Sequence, residues 1–174
     1  MDQVQGPDPT QTKRQLLEQL VEAHQASLLR TCYLYLRDRM QAEDAVQETY
    51  LKAWRSLDSF HGDSSGKTWL LRIALNTCHD MRKGGWHRLF DRRITPDMLP
   101  DEAAPRQEHD DSLLTSVMNL PPRLREVVLL YYYHNLTTIE IADVLGIARS
   151  SVSARLQRAR AKLRTLLERM EADE

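Results

Sequence analysis

Residues 137–167 read TTIEIADVLGIARSSVSARLQRARAKLRTLL, and this stretch decides the fold of the chain. Thr137 and Glu140 have the spacing of a capping box, in which each side chain accepts a hydrogen bond from the backbone N–H of the other residue. Gly146 stands where a turn favours a residue without a Cβ atom, and a second helix is expected from about Arg149. A short helix, a glycine turn and a longer helix predict a helix-turn-helix.

Each helix of this motif should bury one side. In the first helix we expect Ile139, Ala142 and Leu145 to face inward. The longer helix is rich in Arg and Lys, which is typical of a helix that enters the DNA major groove but also of a simply solvated helix face. Its inward positions recur at helical spacing and are Val152, Leu156, Ala159, Leu163 and Met170.

Composition places the whole chain in the all-α class. It has 174 residues, 41% of them hydrophobic, with only six Gly and two Phe. Ala, Leu, Arg, Glu and Gln are abundant, and these residues favour helices. One helix or two are expected over residues 12–37, with further helices over 41–57, 68–83, 111–119 and 123–134.

The charged residues are unevenly distributed, although the formal net charge is only −1. Residues 82–93 hold five Lys and Arg, whereas residues 95–111 hold six Asp and Glu. The acidic stretch also contains Pro and is predicted to be a flexible linker between two small helical domains. The predicted division is a disordered lead over 1–11, a first domain over 12–94, a linker over 95–110 and a second domain over 111–170.

Two patterns that could indicate catalysis have simpler explanations. Residues 62–68, GDSSGKT, are similar to a phosphate-binding loop, but they have one residue too few between the glycines and no preceding strand. Cys32 and Cys78 lack the paired Cys and His spacing of a zinc site. We therefore expect no enzyme activity, no cofactor and no metal.

The cysteine content and the apolar runs of the sequence bear on the cellular location of the protein. Two cysteines without a disulfide framework fit a reducing cytosol. The polar N-terminal residues MDQVQGPDPT contain no signal-peptide core, and no apolar run approaches the roughly 20 residues that cross a bilayer. A cytoplasmic protein without direct membrane insertion is expected.

Three blocks of sequence, taken in order, resemble the extracytoplasmic-function (ECF, group IV) sigma factors of the sigma-70 family. They are AEDAVQETYLKAW over residues 42–54, SFHGDSSGKTWLLRIALNTCHDMRK over 59–83, and the segment from LPPRLREVVLL through the helix-turn-helix over 120–163. The resemblance implies an all-α transcription initiation factor with a sigma-2 and a sigma-4 domain. Such a factor binds core RNA polymerase and directs it to the −10 and −35 elements of promoters.

The resemblance also implies protein partners. In the family, the helix that carries Asp44, Gln47, Glu48 and Thr49 docks on the clamp coiled coil of the largest polymerase subunit. An acidic helix face suits a basic partner surface. Residues 123–132 would meet the flap tip of the polymerase. An anti-sigma factor, often membrane-anchored in this family, would be a further partner.

Two promoter contacts are implied in the same way. The −10 element would be melted, with a base flipped into a pocket, by the loop and helix that contain Phe60, Asp63, Ser64, Ser65, Lys67, Arg72, Asn76 and Lys83. The −35 element would be read by the start of the basic helix, at Arg149, Ser150, Ser151, Ser153, Ala154, Arg155, Gln157 and Arg158. The chain departs from the common family pattern at Ser65-Gly66, Ala148 and Ser153, so the preferred promoter sequence stays open.

Two other functions remain open at this point. A conventional helix-turn-helix regulator would form dimers and bind palindromic duplex DNA tightly without polymerase. A helical adaptor would bind only proteins, and charge reversal at Arg158 would not affect it.

Overall fold

The structure is a computed structural model that describes residues 9–62, 64–83 and 108–172. Those residues contain no strand, and the all-α prediction is confirmed. Most of the predicted lead and linker lies outside the described residues, although α1 already begins at Pro9 and α4 at Glu108. The helices are α1 (Pro9–Leu36), α2 (Arg39–Ser56), α3 (Gly66–Lys83), α4 (Glu108–Met118), α5 (Pro122–Val128), α6 (Thr138–Leu145) and α7 (Arg149–Ala172).

The first three helices pack into a bundle with short connections. α1 is a single helix of 28 residues that ends before Arg37, which adopts a left-handed φ of +62°. Asp38 caps α2 by accepting a hydrogen bond from the Gln41 N–H at 3.0 Å. The turn between α1 and α2 is therefore tighter than the predicted one.

The start of α3 lies tightly against α1. The Ser65 hydroxyl accepts a hydrogen bond from the Thr68 N–H at 3.1 Å and so caps the helix. A Cβ atom on Gly66 would clash with a methyl group of Leu20. Gly66, where the chain departs from the family pattern, thus allows the close approach of two helices.

A wide turn follows α5 and places a histidine inside the protein. α5 begins at Pro122, which suits a first helical turn, and continues into a π-helical turn over Leu129–Tyr133. In this turn the His134 N–H donates to the Leu129 carbonyl at 3.0 Å, five residues back. Asn135, with a φ of +56°, then ends the turn, and His134 is only 3% exposed.

The local chemistry of the helix-turn-helix is as predicted. Thr137 and Glu140 form both hydrogen bonds of the capping box. Hydrogen bonds from the backbone and hydroxyl of Thr137 lower the pKa of the Glu140 carboxyl. Gly146 adopts a left-handed φ of +63°, and α7 begins at Arg149. In α7, the predicted inward residues Val152, Leu156 and Ala159 are buried.

The inward face of α6 differs from the prediction. Ile139 is 56% exposed, whereas Ile141 and Val144 are buried; Ala142 and Leu145 are partly buried. The prediction for Ile139 was wrong because α6 packs against both α3 and α7. A short helix with apolar residues on several sides takes its orientation from these neighbours.

The two halves of the described chain, residues 9–83 and 108–172, share one hydrophobic core. Leu71 and Leu75 of α3 belong to the same buried cluster as Leu130, Ile141 and Val144 of the second half. α3 packs against α6, and α1 packs against α5. The helix-turn-helix therefore rests directly on the first half. Of the helices described, none combines the length and apolarity needed to cross a membrane.

Candidate functional site

The outer side of α2 carries the predicted polymerase contacts. Asp44 and Gln47 are exposed, and Glu48 is half-buried. Leu51 and Trp54, which are 52% and 37% exposed, follow Gln47 at helical spacing and extend the same side. We call these five residues the α2 face. Exposed apolar side chains beside carboxylates are typical of a protein-binding surface, and the sequence did not predict that Trp54 would contribute to it.

Thr49 does not belong to the α2 face. Its side chain is fully buried, and its hydroxyl donates to the Ala45 carbonyl at 2.6 Å. Position 49 falls on the same side of α2 as the buried Ala42, Ala45 and Ala53. Its inclusion among the polymerase contacts is corrected, because Thr49 supports the packing of α2 from within.

A pair of aromatic side chains lies at the N-terminal end of α3. The rings of Phe60 and Trp69 have their centroids 4.8 Å apart and are tilted by 30°. Ser64 beside them is exposed, whereas the Ser65 hydroxyl is occupied in capping α3. Asp63 lies outside the described residues. The pair offers an aromatic surface on which a base could stack.

The predicted −10 side chains of α3 have two kinds of surroundings. The Lys67 ammonium donates to the His134 carbonyl at 2.9 Å. Arg72 Nε donates to the Asp143 carbonyl at 2.9 Å, and Nη2 of the same guanidinium bonds the same oxygen. Both carbonyls belong to the second half. Further along α3, Asn76 and Lys83 are exposed.

The start of α7 presents most of the predicted −35 side chains to solvent. The Arg149 guanidinium donates to the Thr138 hydroxyl at 3.1 Å, which links the start of α7 to the start of α6. Ser151, Ala154 and Arg155 are partly buried. The exposed candidates lie away from the buried side of α7 and are Arg149, Ser150, Ser153, Gln157 and Arg158.

Arg155 is part of a charge cluster that joins the halves. Its Nη1 donates to one oxygen of Glu126 at 2.8 Å, and His79 Nε2 of α3 lies 2.8 Å from the other oxygen. The Glu126 side chain is only 4% exposed, and a buried carboxylate needs such partners. The sequence did not predict a role for Glu126, because its partners are 29 and 47 residues away.

A cavity of about 720 Å³ opens beside this cluster, between the two halves. Its walls carry cations from both halves, namely Arg82 and Lys83 from the first and Arg123 and Arg155 from the second. The Arg82 guanidinium stands 5.3 Å from the centre of the Tyr35 ring. Within the described ranges, no group of three His, Cys, Asp or Glu side chains is placed to hold a metal ion.

The buried guanidinium of Arg125 binds backbone carbonyls of both halves. Nη1 donates to the Leu34 carbonyl of α1 at 3.0 Å, and Nη2 donates to the carbonyls of Met118 and Leu120 at 2.7 and 2.9 Å. Burial lowers the pKa of Arg125 to about 10, so the side chain stays charged at neutral pH. It therefore satisfies carbonyls that would otherwise be buried without donors.

The buried ring of His134 forms a second link between the halves. Its Nε2 lies 2.6 Å from the hydroxyl of Thr31 on α1. Burial, together with the nearby Lys67 charge, lowers the pKa of His134 to about 3. The ring is therefore neutral at physiological pH. The sequence did not predict this link, because 103 positions separate its two residues.

Comparison with known proteins identifies the family of the chain. The family model for Sigma-70 region 2 matches residues 20–88, and the model for Sigma-70, region 4 matches residues 110–163. The RNA polymerase sigma factor NccH of Alcaligenes xylosoxydans xylosoxydans is 33% identical, with 86% of each chain covered. The fold and the matches define a two-part, all-helical protein of the sigma-70 type, and the chain belongs to the ECF group of the sigma-70 family.

Two further relatives extend the comparison. The ECF RNA polymerase sigma factor SigG of Mycobacterium tuberculosis is 32% identical over 92% of this chain, but the chain spans only 51% of the length of SigG. The solved structure of the sigma factor RpoE in complex with the anti-sigma factor NepR from Bartonella quintana is 26% identical. It has a TM-score of 0.72 and covers 91% of this chain and 98% of that chain.

Proposed function

We propose that this chain is an alternative sigma factor that binds core RNA polymerase and directs it to promoters with −10 and −35 elements. The observation that carries the proposal is the presence of two separate surfaces on one chain. One is the exposed acidic and apolar α2 face, and the other is the exposed basic start of α7. A protein that only bound DNA would need the second surface but not the first.

The α2 face is the proposed contact with the polymerase clamp. Its carboxylates would attract a basic partner and orient it during encounter. Leu51 and Trp54 would then be covered, and burial of about 25 cal/mol per Å² of apolar surface would hold the complex. The flap tip is the proposed partner of residues 123–132 in the second half.

The −10 contact is proposed for the first half. Phe60 and Trp69 would provide the wall against which an extruded base stacks, and Ser64 would supply a hydrogen bond. Lys67, Arg72 and Lys83 would hold phosphates of the single strand, where cations provide affinity without sequence preference.

The −35 contact is proposed for the start of α7. Ser150, Ser153 and Gln157 lie where the first turns of a recognition helix reach base edges, while Arg149 and Arg158 suit phosphates. The two DNA contacts would be weak individually and effective together once polymerase fixes their spacing.

The wider role follows from the same proposal. The two halves would act as a sigma-2 domain over residues 12–94 and a sigma-4 domain over 111–170. The chain itself would perform no catalysis, because RNA synthesis belongs to the polymerase. An anti-sigma factor, such as the one that binds the Bartonella relative, would hold the protein inactive.

Transcription with purified components tests the proposal. Core polymerase and this protein would be incubated with a promoter library, and transcript start sites would be mapped. We expect new start sites that depend on the protein. Arg158→Ala should reduce them and lower the salt dependence of promoter binding by about one ion, whereas the control Arg164→Ala, near the other end of α7, should not.

The rival functions predict different results in the same experiment. A conventional regulator would form dimers and bind palindromic duplex DNA without polymerase. A protein-binding adaptor would be insensitive to the change at Arg158. Absence of new start sites, together with absence of co-elution with core polymerase, would refute the sigma-factor proposal.

A further inference from the structure

The N-terminal part of α1 contacts both chain segments that carry the aromatic pair, Phe60 and Trp69. Phe60 belongs to the segment that leaves α2, and Trp69 belongs to the first turn of α3. Lys13 of α1 contacts the first segment, and Leu20 of α1 contacts the second. These two residues are seven positions apart, which is about two helical turns, and they therefore lie on the same side of α1.

Lys13 holds the segment that leads to Phe60. The Lys13 ammonium donates to the Asp58 carboxylate at 2.6 Å and stands 5.3 Å from the centre of the Trp54 ring, a contact that restricts its orientation. Its side chain is only 22% exposed, whereas that of Asp58 is 81% exposed. The Phe60 N–H donates to the Leu57 carbonyl at 3.1 Å, so Asp58 lies within the turn that Phe60 closes. Because exposed ion pairs contribute little stability, this pair is better suited to fixing the position of the turn.

Leu20 supports the segment that carries Trp69. A methyl group of Leu20 occupies the place that a Cβ atom on Gly66 would take. The chain departs from the common family pattern at Ser65-Gly66, and here an apolar group of α1 fills the space of a side chain at position 66. The Trp69 N–H donates to the Ser65 carbonyl at 3.0 Å. Any shift of the start of α3 against Leu20 would therefore move Trp69.

The relative placement of the two rings decides what surface a base would meet. Their centroids are 4.8 Å apart and the rings are tilted by 30°, so they contact each other and leave no room for a base between them. A base would stack on the outer side of the pair. Both rings must then keep their positions, because a misplacement of about 1 Å can slow a reaction by about 100-fold.

We propose that Lys13 and Leu20 are positioning residues for the −10 contact. Lys13 acts on Phe60 through Asp58, and Leu20 acts on Trp69 through Gly66, so one side of α1 fixes the aromatic pair against which the extruded base stacks. The proposal rests on the proposed sigma-factor function and deepens it. Neither residue contacts the base itself. Their substitution should slow promoter opening without weakening the binding of core polymerase.

Charge reversal and charge exchange test the role of Lys13. Core polymerase and protein would be mixed with a promoter from the start-site map that carries 2-aminopurine in its −10 element, whose fluorescence rises when the base leaves the stack. Lys13→Glu should slow opening by about fivefold, and Lys13→Glu with Asp58→Lys should restore the rate to within about twofold. Asp58→Lys alone completes the cycle. The matched control is Arg14→Glu, since Arg14 pairs with Glu18 within α1 itself, and it should open the promoter as the wild-type protein does.

Removal and replacement of a methyl group test the role of Leu20. Leu20→Ala should slow opening by at least about tenfold, because the start of α3 loses its support. Leu20→Ala with Gly66→Ala returns a methyl group to the same space and should recover part of the rate. Leu113→Ala removes the same atoms from an exposed leucine of α4 and should have no effect on opening.

The affinity for core polymerase, measured on the same variants, distinguishes positioning from a general loss of structure. We expect it to stay within about twofold of the wild-type value. Opening at the wild-type rate in Lys13→Glu and Leu20→Ala would overturn the proposal, and so would a loss of core affinity as large as the loss of opening. If Leu20→Ala does not fold, the Lys13 and Asp58 variants decide the matter. If the wild-type protein neither co-elutes with core nor produces new start sites, the sigma-factor function itself fails.

Discussion

The α2 face and the cations Lys67 and Arg72 of α3 lie on neighbouring helices of the same half, yet their surroundings differ. Asp44 and Gln47 face solvent, whereas Lys67 and Arg72 bond backbone carbonyls of the second half. Both sets are polar residues on helices of the same length. The difference shows that a polar helix side becomes a free binding surface or an internal contact according to what the rest of the chain packs against it.

The comparison makes a general prediction. Substitutions on the α2 face should change binding and leave stability unaffected. Substitutions at the buried contacts between the two halves should change stability and the fraction of molecules in which the halves are packed together. The individual predictions follow from the largest expected effect to the smallest.

The largest effect is expected at Arg125. Arg125→Met keeps most of the side-chain volume but removes the donors to the buried carbonyls of Leu34, Met118 and Leu120, so the free energy of unfolding should fall by about 3 kcal/mol. Urea unfolding followed by circular dichroism measures the change. Arg123→Met is the matched control, since Arg123 is exposed, and it should change stability by less than about 0.5 kcal/mol. Equal effects of the two variants would contradict the role of Arg125.

Charge reversal on the α2 face should come next. Asp44→Arg with Glu48→Arg should weaken binding to core polymerase by about 100-fold, because like charges would meet across the interface. The free energy of unfolding should stay within about 0.5 kcal/mol of the wild-type value. Titration of labelled protein with core polymerase measures the affinity.

The control for charge reversal is Glu22→Arg with Glu168→Arg, which changes the net charge equally at exposed positions of α1 and α7. It should bind core polymerase as the wild-type protein does. A loss of helicity in the α2 variant would show that this side of α2 is structural.

A smaller effect is expected for Thr31→Val. The substitution keeps the side-chain shape but leaves the buried His134 ring without its partner, which should cost about 2 kcal/mol. Because this bond joins the two halves, molecules with separated halves should also become more populated. Distances between spin labels at Glu22→Cys and Glu168→Cys distinguish packed from separated halves. Thr165→Val, an exposed threonine of α7, should leave the distance distribution unchanged.

The smallest effect is expected from pH. Burial lowers the pKa of His134 to about 3 when the halves are packed together, whereas an exposed histidine has a pKa of about 6.5. Molecules in which the halves have separated and His134 is exposed therefore bind a proton more readily. The contribution of neutral His134 to the packing of the halves is complete above about pH 6.5 and is lost as the pH falls toward 3. Lowering the pH from 7.5 to 5.5 should favour separation of the halves by about 1.4 kcal/mol, or about tenfold.

The same spin-label distances measure this pH dependence. His24 of α1 and Lys67 of α3 both face His134. Burial also lowers the pKa of His24, so His24 contributes with the same sign. His134→Gln should flatten the profile, and a profile that keeps its full slope in this variant would assign the effect to another group.

Much of the helix-turn-helix could be predicted because its signals are local. The capping box of Thr137 and Glu140 and the left-handed Gly146 depend on residues within a few positions of each other. The inward side of α6 could not be predicted in the same way. Ile139 and Ile141 are equally apolar, and contact with α3 and α7 buries one and exposes the other.

Prediction of the candidate binding surfaces from the sequence was limited in the same way. The acidic side of α2 is evident from Asp44, Gln47 and Glu48, which are one turn or less apart. Thr49 was wrongly included because a threonine is compatible with either side of a helix. No sequence pattern indicated a role for Glu126 or His134, since a single buried acid or histidine acquires its role only from partners in distant helices.

By itself, the sequence determined the helical class, the caps and turn of the helix-turn-helix and the family to which the chain belongs. These features rest on propensities and hydrogen bonds between residues close together in the chain. Only the tertiary structure decided that Lys67 and Arg72 bond carbonyls of the second half and that the α2 face remains exposed. Those outcomes depend on contacts such as that between Thr31 and His134, 103 positions apart, where two distant groups share one buried hydrogen bond.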